Sequence, residues 1–322
     1  MINIDIYNSE NIDFVEFSNM QRDSFKELLS KMGVSDSFMT PDFYKWKYNS
    51  PFGQAKIVLA REDKKIVAST VNQALKIQHG ELEFSAWQNG DSAMLPKYRG
   101  QGLYNKCVKK AVESLEENEI IYGFPNKNSI RGFSSHVTMD KGIIPLLASS
   151  SLFPFWASGK HITLIKSFSQ IDYNFKAFRN FNTVSILKNK EYLSWRYENH
   201  PLNSYVSYFY NNIDNNEQAV VVTRKAVIDG KKVLVIMELL GTSLKAMSKV
   251  LGYAISKQRT GLATLMFNNS FTFFEALYLG FIKVPHQLLP KTQILFADAK
   301  GKDAKAVLNL PWQIQMGDWD GF

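Results

Sequence analysis

Two glycines stand on either side of one glutamine in the stretch R-G-Q-G at residues 99–102, and a helical pattern follows at once. A turn of consecutive backbone N–H groups binds anions, and the positive end of the helix dipole strengthens this attraction. Glycine lets a phosphate group approach the main chain because it carries no Cβ. The side chains of Lys97, Arg99 and Lys106 add positive charge nearby. The stretch therefore predicts a phosphate-binding turn.

Two common nucleotide-binding loops do not match this turn. A Walker A loop needs Gly-Lys followed by Ser or Thr, which the stretch lacks. A dinucleotide fingerprint needs a third glycine, but this sequence has Asn105 at that position. Such a fingerprint also follows the first strand of a βαβ unit. The segments before this turn instead have the pattern of an antiparallel meander. A glycine-rich helix start without a ligand remains the alternative.

The elements around the turn alternate between helix and strand signals. Apolar residues at helical spacing run from Asp13 to Gly33, and Thr40-Pro41 has the pattern of a second helix start. Three strand patterns then precede the turn, with a turn or bulge predicted at Asn89-Gly90. After the turn come a helix of roughly four turns, a strand and a short helix. These segments lie at residues 55–63, 64–78, 81–95, 101–117, 119–124 and 128–138.

The second half of the chain repeats this order. The segment FYKWKYNSP at residues 43–51 is echoed by YLSWRYENHP at residues 192–201, and strands, helix, strand and helix follow both. A repeat as long as a domain indicates duplication and not a solenoid. Trp46 and Trp195 occupy equivalent places and are interpreted as core anchors. Chance clustering of aromatic residues is the alternative.

With Pro96-Lys97-Tyr98 before it, the turn resembles the acyl-CoA motif of the GNAT superfamily of N-acyltransferases, Arg/Gln-x-x-Gly-x-Gly/Ala between a strand and a helix. The resemblance implies an α/β (α+β) fold of two GNAT-like domains, each a mixed, mostly antiparallel sheet flanked by helices. The first, residues 1–168, would be catalytic and use acetyl-CoA. The second, residues 169–322, has ELLGTSLKAMSK in place of the turn, so we expect a degenerate copy that binds no acyl-CoA.

The resemblance also implies which residues hold the donor. In the superfamily, the splayed strand before the turn pairs with the pantetheine amides, which corresponds to Ala93, Met94 and Leu95. An asparagine after the next strand faces the pantetheine arm, which corresponds to Asn126. The pyrophosphate turn itself comprises Arg99, Gly100, Gln101, Gly102, Leu103 and Tyr104.

The implied reaction is direct attack of a primary amine on the thioester, and such a reaction needs a general base. Asp91 is the first candidate because it lies just before the thioester position, although a simple turn residue is an equally weighted interpretation. Glu81 and Glu83 are reserve candidates. His136 is the candidate acid, but a lone histidine on a half-buried helix is more often structural. Cys107 is more easily explained as a buried, inert residue than as a nucleophile.

Composition excludes several other classes. The net charge of +8 is spread along the 322 residues and not gathered in a tail, which argues against nucleic-acid binding. One cysteine allows no intramolecular disulfide, and the five histidines have no metal-ligand spacing, so no metal site is expected. The sequence shows neither a secretory signal nor a membrane span, and a cytoplasmic protein is expected.

The acceptor is less defined than the donor. The overall pattern looks like that of transferases linked to bacterial surface-sugar pathways, which suggests the amine of an amino-sugar nucleotide. Two other classes stay open. One is a non-catalytic acyl-CoA sensor, and the other is an aminoacyl transferase of the peptidoglycan-bridge type, which lacks the R-x-x-G-x-G turn. The oligomeric state is not predicted.

Overall fold

Two separate mixed sheets, each with helices packed against it, form the framework of the chain. The computed structural model describes residues 2–150, 159–173, 183–228, 230–266, 272–285 and 293–319. The predicted α/β class with two mixed sheets is confirmed. The strands are β1 (Ile2–Asn8), β2 (Asn49–Ser50), β3 (Gly53–Gln54), β4 (Lys56–Glu62), β5 (Lys65–His79), β6 (Leu82–Met94), β7 (Ile120–Gly123), β8 (Met139–Ile143), β9 (Leu146–Ser150), β10 (Ile162–Leu164), β11 (Val184–Ile186), β12 (Val206–Asn212), β13 (Glu217–Ile228), β14 (Lys231–Gly241), β15 (Leu262–Met266), β16 (Ile282–Lys283), β17 (Ile294–Ala299) and β18 (Trp312–Gln313).

The first two helices begin at signals that the sequence carries, and the helix predicted at residues 101–117 is shorter, at Leu103–Glu113. The Asp13 side chain accepts from two backbone N–H groups at the start of the first helix, which ends at Gly33 in the left-handed conformation. The Thr40 hydroxyl caps the second helix, with Pro41 in its first turn. The helices are α1 (Phe14–Met32), α2 (Pro41–Tyr48), α3 (Leu103–Glu113), α4 (Ile130–Ser134), α5 (Lys190–Leu193), α6 (Leu244–Gln258), α7 (Phe273–Tyr278) and α8 (Lys302–Leu308).

The two sheets have the same plan. The first has the order β1-β4-β5-β6-β7-β17-β8, and the second has the order β10-β12-β13-β14-β15-β9-β16. Within these two orders, only the β6–β7 and β14–β15 pairs are parallel. These parallel pairs occupy equivalent places, fourth and fifth in each order. The common plan is what the duplication predicted from the sequence would produce.

Each sheet contains a strand from the other half of the chain. β17 lies between β7 and β8 in the first sheet, and β9 lies between β15 and β16 in the second. β10 also belongs to the second sheet, whereas β11 and β18 belong to the first. The domain boundary predicted at residues 168 and 169 stays a prediction, and the strand pairing crosses it in both directions.

The repeated Trp motif lies at the contact between the halves. The indole N–H of Trp46 donates to the Trp195 carbonyl at 3.0 Å, and that of Trp195 donates to the Trp46 carbonyl at 3.1 Å. The two indoles stack with centroids 5.2 Å apart. A reciprocal contact of this kind is what two equivalent residues make across a local two-fold axis. The two halves therefore share a core, which also contains Trp312 and Val222.

Candidate functional site

The parallel strands β6 and β7 separate halfway along β6. Their pairing runs from Ala86 with Ile120 to Asn89 with Gly123 and goes no further. Beyond this point β5 is the one strand of the described residues that pairs with β6, and two residues of β6, Asp91 and Ser92, stand opposite one residue of β5. This is a bulge, and Asp91 adopts a φ of 46° there. The open edge of β6 after the bulge is available for another extended group.

A buried polar network holds the bulge in place. The hydroxyls of Thr70 and Ser92 lie 2.7 Å apart, and Thr70 also contacts Asn89 Oδ1 at 3.2 Å. Asn89 donates in turn to Asn72 Oδ1 at 2.7 Å. Thr70 and Asn72 are fully buried. Because these polar groups satisfy one another, the separation of the strands is part of the folded structure.

The predicted glycine turn follows β6 and opens into α3. Gly100 and Gly102 have φ values of 78° and 70°, which glycine adopts without strain. A Cβ built on either residue would have no heavy atom within 4 Å. The backbone N–H groups of residues 100–105 donate to no described residue. Arg99 Nη2 binds the Ser24 carbonyl of α1 at 2.6 Å and so ties the turn to the first helix.

A cleft of about 660 Å³ adjoins the gap between the strands. Its lining comes from α1, α2, the bulge of β6, the residues after β7, and residues 196–203 of the second half. Of the residues predicted to be functional, Asp91, Tyr104 and Asn126 line it. Ala93, Met94 and Leu95 continue β6 beside it without being part of its lining.

Asp91 is held by two neighbours that the sequence did not suggest. Lys47 Nζ lies 2.6 Å from Asp91 Oδ2, and the Tyr48 hydroxyl donates to the same oxygen at 2.6 Å. The Lys47 side chain is 6% exposed and that of Asp91 24%, so the pair is largely shielded from water. Burial, and then the charge of Asp91, raises the pKa of Tyr44. The Trp-Lys-Tyr repeat was the available signal, but it was interpreted as a mark of duplication and, at Trp46, as a core anchor.

Tyr104 and Asn126 lie on the side of the cleft near α4. The Tyr104 ring packs over Gly132, where a Cβ would come within 2.7 Å of the ring. Burial raises the pKa of Tyr104 to about 12, against the effect of the nearby hydroxyls of Ser92 and Ser129. Asn126 Oδ1 accepts from the Asn128 and Ser129 N–H groups and stabilises the loop after β7.

His136 and Cys107 lie away from the cleft lining. His136 is half-buried, and its Nε2 lies 2.6 Å from Asn105 Oδ1 on α3. Its catalytic role stays a prediction, and the cleft lining offers no support for that role. Cys107 is fully buried, and burial raises the pKa of its thiol to about 12. A thiol in this environment is protonated and therefore a poor nucleophile.

The equivalent place in the second sheet is filled by the chain itself. The β14–β15 pairing ends at Ile236 with Leu265, and beyond it the Leu239 N–H donates to Gln315 Oε1 at 2.6 Å. Instead of a glycine turn, Ser243 caps α6 by accepting from the Ala246 N–H. Among the described residues, a glutamine side chain therefore binds the strand edge of this copy and a serine caps its helix, whereas α3 of the first copy has no side-chain cap.

Two other kinds of feature, a membrane-spanning helix and a metal-holding cluster, are absent from the described residues. None of their helices has the length and apolar character needed to cross a membrane. They contain no group of three or more His, Cys, Asp or Glu side chains placed to hold a metal ion.

Comparison with solved structures identifies the fold. No protein-family model matches the sequence, and a search of curated proteins finds no match. A GCN5-related N-acetyltransferase from Anabaena variabilis superposes with a TM-score of 0.66 at 10% identity, over 92% of this chain and 72% of that one. A GCN5-related N-acetyltransferase from Kribbella flavida gives 0.58 at 11% identity, over 92% and 71%. Eis1 from Mycobacterium abscessus gives 0.56 at 10% identity, over 91% and 73%.

These similarities extend over nearly the whole chain and include both sheets. The chain therefore has the fold of the GCN5-related N-acetyltransferases, as the resemblance of the glycine turn implied. Because only about one residue in ten is identical, the similarity establishes the architecture alone. The fold does not determine the chemistry, which depends on the residues of the site.

Proposed function

We propose that the chain is an N-acyltransferase that transfers an acyl group, acetyl by default, from acyl-CoA to a primary amine. The observation that carries the proposal is the glycine turn, whose N–H groups at residues 100–105 have no acceptor among the described residues. It follows directly on a strand that has separated from its parallel neighbour. An anion-binding turn beside an open strand edge suits a ligand with a phosphate end and an amide-bearing arm.

The directions of the backbone N–H groups at the end of β6 support proposed roles for single residues. The Leu95 N–H donates to the Val67 carbonyl of β5 at 3.0 Å. Successive N–H groups of a strand point to opposite edges, so the Met94 N–H faces the gap between β6 and β7. In the proposed complex it donates to the thioester oxygen as negative charge develops there. Ala93 and Leu95 fix its position through their pairing with β5.

Asp91 is the proposed proton acceptor for the amine. It lines the cleft next to the bulge, and the hydrogen bonds from Lys47 and Tyr48 fix its rotamer. Asn126, Gly102 and Arg99 are the proposed contacts of the pantetheine arm and the diphosphate.

The acceptor suggested by the sequence is the amine of an amino-sugar nucleotide. Lys47 and Arg196 line the cleft and would supply positive charge for its diphosphate. His200 and Phe43, with centroids 6.1 Å apart, would offer rings for stacking against a base.

Thermal unfolding with and without acetyl-CoA tests the proposal. A ligand at a hundredfold its dissociation constant adds about 2.7 kcal/mol of stability. Gly102→Glu places a carboxylate at the turn and should abolish the shift. Gly230→Glu is the matched control, because Gly230 also has a positive φ, 73°, and open space around it. If no short acyl-CoA stabilises the chain, the proposal is wrong.

Turnover separates the remaining classes. Release of free CoA thiol that depends on an added amine identifies a transferase, whereas a sensor would bind acetyl-CoA without releasing thiol for any amine. Transfer from aminoacyl-tRNA, with no response to acetyl-CoA, would identify the aminoacyl transferase class.

A further inference from the structure

One wall of the cleft is built from apolar side chains of α1, α2 and the loop between them. Phe25 and Leu29 come from α1, Phe38 and Met39 from the loop, and Phe43 from α2. Leu202 of the second half adds to the lining. Several rings and branched chains that converge on one concave surface are typical of a site for an apolar group.

The rim of the cleft exposes large apolar side chains to solvent. Val34 is 44% exposed, Phe38 36% and Leu202 42%. Leu202 is distant in the sequence from Val34 and Phe38, yet all three line the same cleft. Exposed apolar residues that gather around one opening mark a surface that a ligand covers.

The carboxamides in the cleft lining are already engaged within the protein. Gln21 Nε2 donates to the Ser69 hydroxyl at 3.0 Å and to the Asp91 carbonyl at 2.9 Å. Asn89 binds Asn72, and Asn203 Oδ1 accepts from Arg224 at 2.9 Å. A sugar binding here would give up hydrogen bonds to water, and these contacts leave the carboxamides fewer polar atoms with which to replace them.

We infer that the acceptor is a primary amine attached to an apolar alkyl or aryl body. The amine reaches Asp91, and the body lies against the wall that contains Phe25, Leu29, Phe38 and Phe43. This inference rests on the proposed function and specifies its acceptor. It favours an apolar amine over the amino-sugar nucleotide that the sequence suggested.

The position of Asp91 favours the acceptor as the source of the apolar group. Asp91, the proposed base, lines the same cleft as the apolar wall. Residues 100–103 of the glycine turn are absent from the cleft lining, whereas Tyr104 and Asn126, which were also predicted to hold the donor, are part of it. The wall therefore adjoins the group that receives the proton of the amine.

The test measures kcat/KM for butylamine, hexylamine and octylamine with acetyl-CoA, with glucosamine as the polar comparison. Each buried methylene is worth about 0.8 kcal/mol, so kcat/KM should rise about fourfold per added methylene until the wall is covered. Glucosamine should be the poorest substrate. A higher kcat/KM for glucosamine than for octylamine would overturn the inference.

Phe38→Asp tests the wall itself, because Phe38 lies at the rim and is already partly exposed. The substitution should lower kcat/KM more than tenfold for octylamine, and by less as the amine shortens. Phe274→Asp is the control, since Phe274 is 78% exposed and lies outside the cleft lining. If Phe38→Asp instead selectively weakens the use of octanoyl-CoA with a short amine, the wall binds the donor chain and the inference is wrong.

Thermal unfolding with hexylamine distinguishes a failure of this inference from a failure of the proposed function. If acetyl-CoA does not stabilise the chain, the transferase proposal fails. The apolar subsite still stands if hexylamine raises the unfolding temperature and Phe38→Asp removes the shift. If acetyl-CoA stabilises the chain but hexylamine does not, with or without CoA present, the subsite is refuted and the transferase proposal survives.

Discussion

Glu238 is fully buried in the second half, and its ionisation is predicted to lower the stability of the protein as the pH rises. Its Oε1 accepts from Lys188 Nζ at 2.8 Å and from the Tyr197 hydroxyl at 2.6 Å. Its Oε2 has no hydrogen-bond partner among the described residues. Burial raises the pKa of Glu238 to about 7 from the ordinary 4.5, although Lys188 acts in the opposite direction. The charge of Asp318, which shares the same lysine, contributes to this rise.

The sign of the effect follows from which state holds the proton. Below pH 4.5 the carboxyl is protonated in both the folded and the unfolded chain, so it has no effect. Between pH 4.5 and about 7 only the folded chain keeps the proton, so a rise in pH favours unfolding. A tenfold difference in proton affinity is worth about 1.4 kcal/mol. The full loss, reached above pH 7, is therefore on the order of 3 kcal/mol.

Urea unfolding at pH 5 and pH 8 measures this loss. In Glu238→Gln the titrating group is gone, so the unfolding free energy should fall less between the two pH values than in the natural chain. Glu113→Gln is the control, because the Glu113 side chain is 57% exposed. An equal fall in the natural chain and Glu238→Gln would refute the argument, and so would a larger fall in Glu238→Gln.

Three further changes have definite expected outcomes. Gly102→Ala puts a side chain at a φ of 70°, so chemical denaturation should show a loss of about 1 kcal/mol, and calorimetry a weaker affinity for acetyl-CoA. Asp91→Asn removes one charge of the ion pair with Lys47 and removes the proposed base, so kcat/KM should fall about 10²–10⁴-fold in a thiol-release assay. Trp46→Phe deletes the donor to the Trp195 carbonyl, which leaves a buried acceptor unpaired and should lower the unfolding free energy by about 1–3 kcal/mol.

The elements near the site could be predicted because local signals determine them. The cap-then-proline pair at Thr40 starts α2, and the long strand patterns became β4, β5 and β6 at nearly the predicted residues. The bulge was expected at Asn89-Gly90 and lies one to two residues later, at Asp91 and Ser92. Turn residues mark where a strand is irregular, but the pairing with β5 determines which residue is extra.

The strand exchange could not be predicted in the same way. β9 lies in an apolar stretch interrupted by prolines, for which no strand was predicted. Its partners, β15 and β16, are distant in the sequence, so no local pattern specifies them. The contacts of Asp91 have the same origin, because Tyr48 lies 43 residues before it. Tertiary packing decides such contacts, whereas the glycine turn is local and could be identified directly.

The exchange of strands explains why a half without a glycine turn is still needed. The first sheet is incomplete without β17, which lies between β7 and β8. The cleft also takes part of its lining from Arg196, His200 and Leu202 of the second half. The second copy can lose its own open strand edge, where Gln315 now binds Leu239, without losing these contributions. The second half could therefore bind no ligand of its own and still keep its structural role. Ligand binding and the structural role depend on different residues of the second half.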